Sequence, residues 1–278
     1  MMRDLTTTHL RSLDGATAVV AGHGAQVLSW VPAGGNEALF LSTQARYGPG
    51  DAIRGGVPII FPQFAARGPG KRHGFVRNLP WRHTASMMVG GCAVARYALT
   101  SDEAADPHWS HRFALTYEVR LGGQRLDLSL EVHNPSDESW EFCAALHTYL
   151  RIDPRHDARL SGLQGVAYHD HVSGEPACRQ TDAILVIASE VDRMYVDTPA
   201  LLQLDDGLRI IEIRQKGFLD TVVWNPGADK GALLTDLEAG ADRAFVCVEA
   251  AAIARPVVLA AGQRWHGTQT LQMVACAD

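Results

Sequence analysis

Apolar and polar side chains alternate along residues 113–132. Phe113, Leu115, Tyr117, Val119 and Leu121 share one parity, and Ala114, Thr116, Glu118 and Arg120 the other. After Gly122-Gly123, Leu126, Leu128, Leu130 and Val132 alternate with Asp127, Ser129 and Glu131. A period of two puts each set on one face of a strand, and the paired glycines supply a tight turn, so the segment predicts an antiparallel hairpin. A second hairpin is predicted over 200–214, turning near Asp206-Gly207. Over 140–152, Trp140, Phe142, Ala144, Leu146, Leu150 and Ile152 share one face. Cys143, Ala145, His147, Tyr149 and Arg151 share the other.

Shorter apolar runs predict strands at 17–21, 25–31, 37–42, 183–188, 221–225, 245–249, 256–259 and 268–275. Helical periodicity is scarce, and 231–239 is the one short helix expected. Many short strands with regular turn signals predict an all-β fold, a large antiparallel β-sandwich or barrel. No repeat or compositional boundary divides the chain, so residues 1–278 read as a single domain.

Composition changes this picture little. The 278 residues are 46% hydrophobic and 20% charged, as in an ordinary globular protein. A net charge of −6 argues against general nucleic-acid or membrane-surface binding, which needs a broad positive field. The five cysteines, Cys92, Cys143, Cys178, Cys247 and Cys276, show no metal-ligand spacing. Cys143 and Cys247 read as core thiols, and a reduced, cytoplasmic protein is expected. No apolar h-region opens the chain and no apolar run reaches about 18 residues, so neither a signal peptide nor a membrane span is expected.

Charge distribution is more telling. Although the chain has 31 acidic residues, none falls between Ala52 and Ser101. Within that interval, 54–77 (RGGVPIIFPQFAARGPGKRHGFVR) gathers glycines, prolines and cations. It predicts a long functional loop facing a small anionic ligand, since Pro58, Pro62, Pro69 and Pro80 break regular structure. Arg54 and Arg77 flank it, and arginine's planar fork suits phosphate or carboxylate. Arg67, Lys71 and Arg72 read as a solvated basic surface.

Two further residues are candidates for proton chemistry. His147 shares its strand face with Tyr149 and Arg151, and Glu249 interrupts the apolar run 245–252. A carboxylate there is either salt-bridged or a base tuned by burial. Asp192 lies at a strand end, where it can bond sugar hydroxyls, Arg193 or a turn amide equally well. Asp220 and Trp224 stand open in the same way, as sugar contacts or as core. His169 and His171 read as surface loop. No GxSxG, HExxH, P-loop or Rossmann pattern occurs.

Taken together and in order, IRGGVPIIFPQF (53–64), HGFVRNLPW (73–81), ALHTYL (145–150), EVDRMY (190–195), VVWNP (222–226) and FVCVEA (245–250) resemble the hexose-6-phosphate mutarotase branch of the aldose 1-epimerase family. The segment 256–267 is similar to the family's closing segment. The resemblance implies a galactose mutarotase-like β-supersandwich that interconverts the anomers of a hexose 6-phosphate without a cofactor. No metal and no obligate protein partner are implied; the partner is a small-molecule sugar phosphate. By the same resemblance Glu249 is the base, His147 the acid, Arg54 and Arg77 phosphate ligands, Gln63 and His73 sugar contacts, and Asp192 the carboxylate that orients the ring. Arg151 is a further residue placed near the site. The sequence departs from the family at Ala250, where a proline is usual, and in the Gly-rich basic stretch 65–72. An epimerase of unphosphorylated hexoses and a non-catalytic sugar-phosphate-binding module remain open alternatives.

Overall fold

Period-two patterning produces three antiparallel sheets in the computed structural model, which describes residues 5–48, 50–104 and 106–274. The hairpin of Ala114–Gly122 and Arg125–His133 lies inside a nine-stranded sheet. That sheet runs in the order Ile184–Ile187, Ala158–Ser161, Leu201–Asp205, Ile210–Lys216, Arg264–Val274, Arg125–His133, Ala114–Gly122, Cys92–Thr100 and Arg82–Val89. An eight-stranded sheet has Phe245–Leu259 at its centre. Asp220–Asn225 pairs along one edge of that strand, and Trp140–Leu146 and Tyr149–Arg151 pair along the other. Thr7–Arg11, Thr17–Ala21 and Val27–Val31 make a three-stranded sheet.

Alternation decides which side chains meet. Leu115, Tyr117, Val119, Leu128, Leu130, Ile213 and Leu271 of the nine-stranded sheet join Ala144, Leu146, Leu150, Val246, Val248 and Ala250 of the eight-stranded sheet in one apolar core. Fully burying a large aliphatic side chain contributes about 1.5–3 kcal/mol, so this shared face holds the sheets together. The opposite parity of Phe245–Leu259 faces outward. There Cys247 joins Phe40, Tyr149 and Phe245, while Ala251 and Ile253 join Cys143, Ala145, Met194 and Val222 in a second small cluster. Glu249 has that same outward parity.

Several expected elements differ in extent. The runs 245–249 and 256–259 belong to one 15-residue strand, whose pairing shifts register between Ala252 and Val257. Pro256, which has no N–H for a ladder bond, sits at that irregularity. The helix expected at 231–239 lies earlier, at Gly227–Leu233. Residues 37–42 make only isolated bridges, Leu39 to Leu150 and Leu41 to Gly55. The strand predicted over 140–152 is interrupted at His147-Thr148. Within 54–77 only Ile59–Ile60 and the 3-10 turn Val76–Asn78 are regular. Cys143 and Cys247 are buried, whereas Cys276 lies outside the described residues.

Candidate active site

The outward face of the eight-stranded sheet floors a cleft of about 670 Å³, walled by residues 52–77. The register of Trp140–Leu146 and of Tyr149–Arg151 on Phe245–Leu259 is the same on both sides of the break. His147 therefore stands directly across from Glu249, as a cross-strand pair opening into the cleft. His147 Nε2 lies 3.4 Å from Glu249 Oε1, with both side chains buried. The His147 N–H donates to Pro58 O, so the loop itself holds the strand break open. Its ring stacks on Tyr149 at 4.8 Å, and the rings of Trp224 and His73 meet it nearly edge-on at 5.9 and 5.7 Å.

Burial dominates the electrostatics. It pushes the Glu249 carboxyl well above its ordinary value; Asp192 adds to this, and Arg77 and Arg72 oppose it. It pushes His147 well below its ordinary value, helped by His73, Arg77 and Arg54. His73 falls to about 3 through burial and then the charges of Arg77, Arg72 and Arg54. The Ala65 N–H donates to His73 Nδ1, which leaves Nε2 as the protonated nitrogen of the neutral ring.

The two flanking arginines are not equivalent. Arg54 is compensated: it contacts Asp236 at 3.1 Å and donates to the Tyr149 hydroxyl at 3.1 Å. The Tyr149 oxygen and the Asp236 carboxylate raise its pKa. Arg77 makes no ion pair among the described residues; its Nη2 donates to Arg72 O, and its enclosed Nε has no partner. Burial lowers Arg77 to about 10. His147 Nδ1 and Glu249 Oε2 are also buried and unpartnered. An unsatisfied buried polar atom costs about 1–3 kcal/mol, and three around one cleft mark a place built to receive polar ligand atoms.

Arg54, His73, Arg77, His147, Asp192 and Glu249 all line this cleft. Gln63 does not. Its carboxamide turns into the loop, accepting from Gly70 N at 2.8 Å and donating to Gly70 O, so it shapes the loop and lies away from the cleft lining. Arg151 is also elsewhere, with Nε donating to Leu39 O. Asp220 caps the Ile253 and Ala254 amides at the strand irregularity, a structural task. Trp224, open from sequence as sugar contact or core, lines the cleft; so do Tyr149, Arg67, Arg72 and His171, which were not among the expected site residues. His171 Nδ1 lies 3.0 Å from Asp192 Oδ1. The shared parity of His147 and Tyr149 was a usable signal for Tyr149; nothing local marks His171, which the pairing of Ala167–Asp170 with Val191–Tyr195 brings there. Among the described residues no cluster of His, Cys, Asp and Glu forms a metal-ligand set, and no helix is long and apolar enough to cross a membrane.

Residues 7–272 match the family described as aldose 1-epimerase. The chain belongs to the aldose 1-epimerase family. Among its relatives is a protein of Cenchrus ciliaris, provisionally named glucose-6-phosphate 1-epimerase, 30% identical over 95% of this chain and 84% of its own. A protein of Escherichia coli K12 with the same provisional name is 33% identical over 87% of this chain and 85% of its own. The crystal structure of a provisionally named mutarotase from Salmonella typhimurium superposes with a TM-score of 0.86 at 30% identity, covering 93% of this chain and 87% of that one. Membership in this family gives the chain its chemical class, epimerisation at an aldose anomeric carbon.

Proposed function

We propose that this epimerase acts on a hexose 6-phosphate, D-glucose 6-phosphate being the expected substrate, within one mutarotase-like domain. The observation that carries the phosphate is Arg77: a guanidinium in the cleft wall, with an enclosed unpartnered Nε and no carboxylate of its own. A phosphate supplies the missing anion, and a charge-assisted bond to it is worth about 1.5–3 kcal/mol. Arg54, already fixed by Asp236 and Tyr149, adds a second, oriented donor. The provisional names of the plant and enteric relatives point the same way.

Before substrate binds, the His147–Glu249 pair shares one proton, held on Glu249 because burial disfavours both charges. Passing it to His147 gives a carboxylate base beside an imidazolium acid. Glu249 then takes the proton of the C1 hydroxyl while His147 delivers one to the ring oxygen. The C1–O5 bond breaks and the open aldehyde forms, with the pair again holding a single proton. Rotation about C1–C2 and the reverse transfers close the ring on the other face. Each group contributes about 10²–10⁴ to such a step. Asp192, at the cleft rim, accepts from ring hydroxyls, and Trp224 offers an apolar face to the sugar.

The test is to dissolve crystalline α-glucose 6-phosphate and follow β-anomer formation with and without protein, with free α-glucose in parallel. Acceleration confined to the phosphate supports the proposal. Equal acceleration of glucose assigns the cleft to unphosphorylated aldoses. Binding without acceleration makes it a sugar-phosphate-binding module.

A further inference from the structure

Behind the His147–Glu249 pair, on the core side of the same two strands, lies a second cross-strand pair, Thr148 and Val248. Their neighbourhood is otherwise apolar, yet a fully buried amide reaches them from the nine-stranded sheet. Gln269 belongs to Arg264–Val274 and is 0% exposed. The Thr148 hydroxyl donates to Gln269 Oε1 at 2.5 Å, and Gln269 Nε2 donates to Val248 O at 3.0 Å. Val248 N–H donates to Thr148 O at 3.1 Å, which closes a ring of contacts across the two strands. The Thr148 N–H turns back to Leu146 O at 2.9 Å, the local kink that interrupts the strand and turns His147 toward the cleft.

We infer that Gln269 is a positioning residue, clamping from the opposite sheet the two strand segments that carry His147 and Glu249 and so setting the separation of the acid from the base. A buried amide in an apolar core costs free energy unless both ends are bonded, and here both ends are bonded to the residues adjoining the pair. An apolar residue of that size would fill the same volume but would leave the Val248 carbonyl and the Thr148 hydroxyl without these bonds. The amide does what an apolar side chain cannot: it ties the strand kink to one register. Proton transfer across 3.4 Å is steeply sensitive to a shift of a few tenths of an ångström, so the clamp acts on the chemical step and leaves the phosphate contacts unaltered. This inference rests on the proposed roles of His147 and Glu249.

The experiment compares Gln269→Leu, Thr148→Val and Thr148→Ser with wild type. It measures kcat and KM for anomerisation of glucose 6-phosphate, the NMR titration of the His147 ring, and the melting temperature. The ring is faced by Glu249, His73, Arg54, Arg77, Tyr149 and Trp224; the Glu249 carboxyl, 3.4 Å from Nε2, is the titratable group that moves with the clamp. Expected are a fall in kcat of at least tenfold for Gln269→Leu and Thr148→Val, a KM within about twofold of wild type, and a displaced His147 titration in both. Thr148→Ser, which keeps the hydroxyl, restores the wild-type titration and rate. Wild-type kcat and His147 titration in Gln269→Leu or Thr148→Val, whatever the melting temperature, overturn the inference and leave Gln269 a core-filling residue. Should Gln269→Leu fail to fold, the isosteric Thr148→Val decides. Should wild type not accelerate anomerisation, the proposed function falls, while the His147 titration still decides whether the clamp sets the pair.

Discussion

Glu249 keeps its proton in the folded protein at pH values where the unfolded chain, with a carboxyl near 4.5, has lost it. Between those limits folding binds a proton, so this residue costs stability progressively as pH rises above about 4.5. Glu249→Gln is therefore expected to raise the melting temperature, by more at pH 8 than at pH 5, while cutting the anomerisation rate by about 10² or more. His147→Ala should lose rate on the same scale. Retention of activity by both variants would remove the acid–base assignment. Because His147 is pushed down and Glu249 up, the pH range of the one-proton state is widened at both ends. The rate should form a broad plateau that falls in acid as His147 gains a second proton and in alkali as Glu249 gives up the only one. The residue types of this chemistry were visible in the sequence: a carboxylate in an apolar run and a histidine on the polar-facing parity of a strand. Their direct opposition was not visible, because it depends on the register of strands about a hundred residues apart in sequence.

The wall of the cleft is a loop held by backbone contacts. Gly56 has φ 60°, and a Cβ there would lie 2.1 Å from Val27 O; at Gly74, φ 69°, it would lie 1.9 Å from Phe61 O. Both positions combine the left-handed region with backbone approach that only glycine allows. Gly56→Ala should cost roughly 1–3 kcal/mol from backbone strain alone and displace Arg54, two residues away, raising KM for the phosphosugar; chemical denaturation and steady-state kinetics check both. The strand faces were legible because period two is a local property. The loop's boundaries were legible too, from its prolines and its lack of acids. Residue assignments within it were not. Gln63 has the right chemistry for a sugar contact but spends it on Gly70, while the cations set aside as solvated surface, Arg67 and Arg72, line the cleft. Which way a loop side chain turns follows from contacts that no periodicity encodes. The long strand Phe245–Leu259 reads as two for a related reason: nothing local joins 245–249 to 256–259, while pairing with Trp140–Leu146 resumes at Val257 beyond the irregularity.

A molecule with a net charge of −6 that presents Arg54, Arg67, Arg72 and Arg77 in one cleft repels anions in general and admits them at one place. Capture of a phosphosugar dianion should therefore weaken with salt. Between 0.01 and 0.15 M ionic strength the screening length shrinks from about 30 to 8 Å. kcat/KM for glucose 6-phosphate should fall several-fold across that range and that for glucose should stay flat, as a salt series on both substrates would show. Trp224 stands in the floor of this cleft, edge-on to His147 and 6.1 Å from Tyr149, the one tryptophan of six to line it. The protein thereby carries an intrinsic optical probe in the cleft. A fluorescence titration with glucose 6-phosphate should report occupancy without any label, and Trp224→Phe should silence that signal.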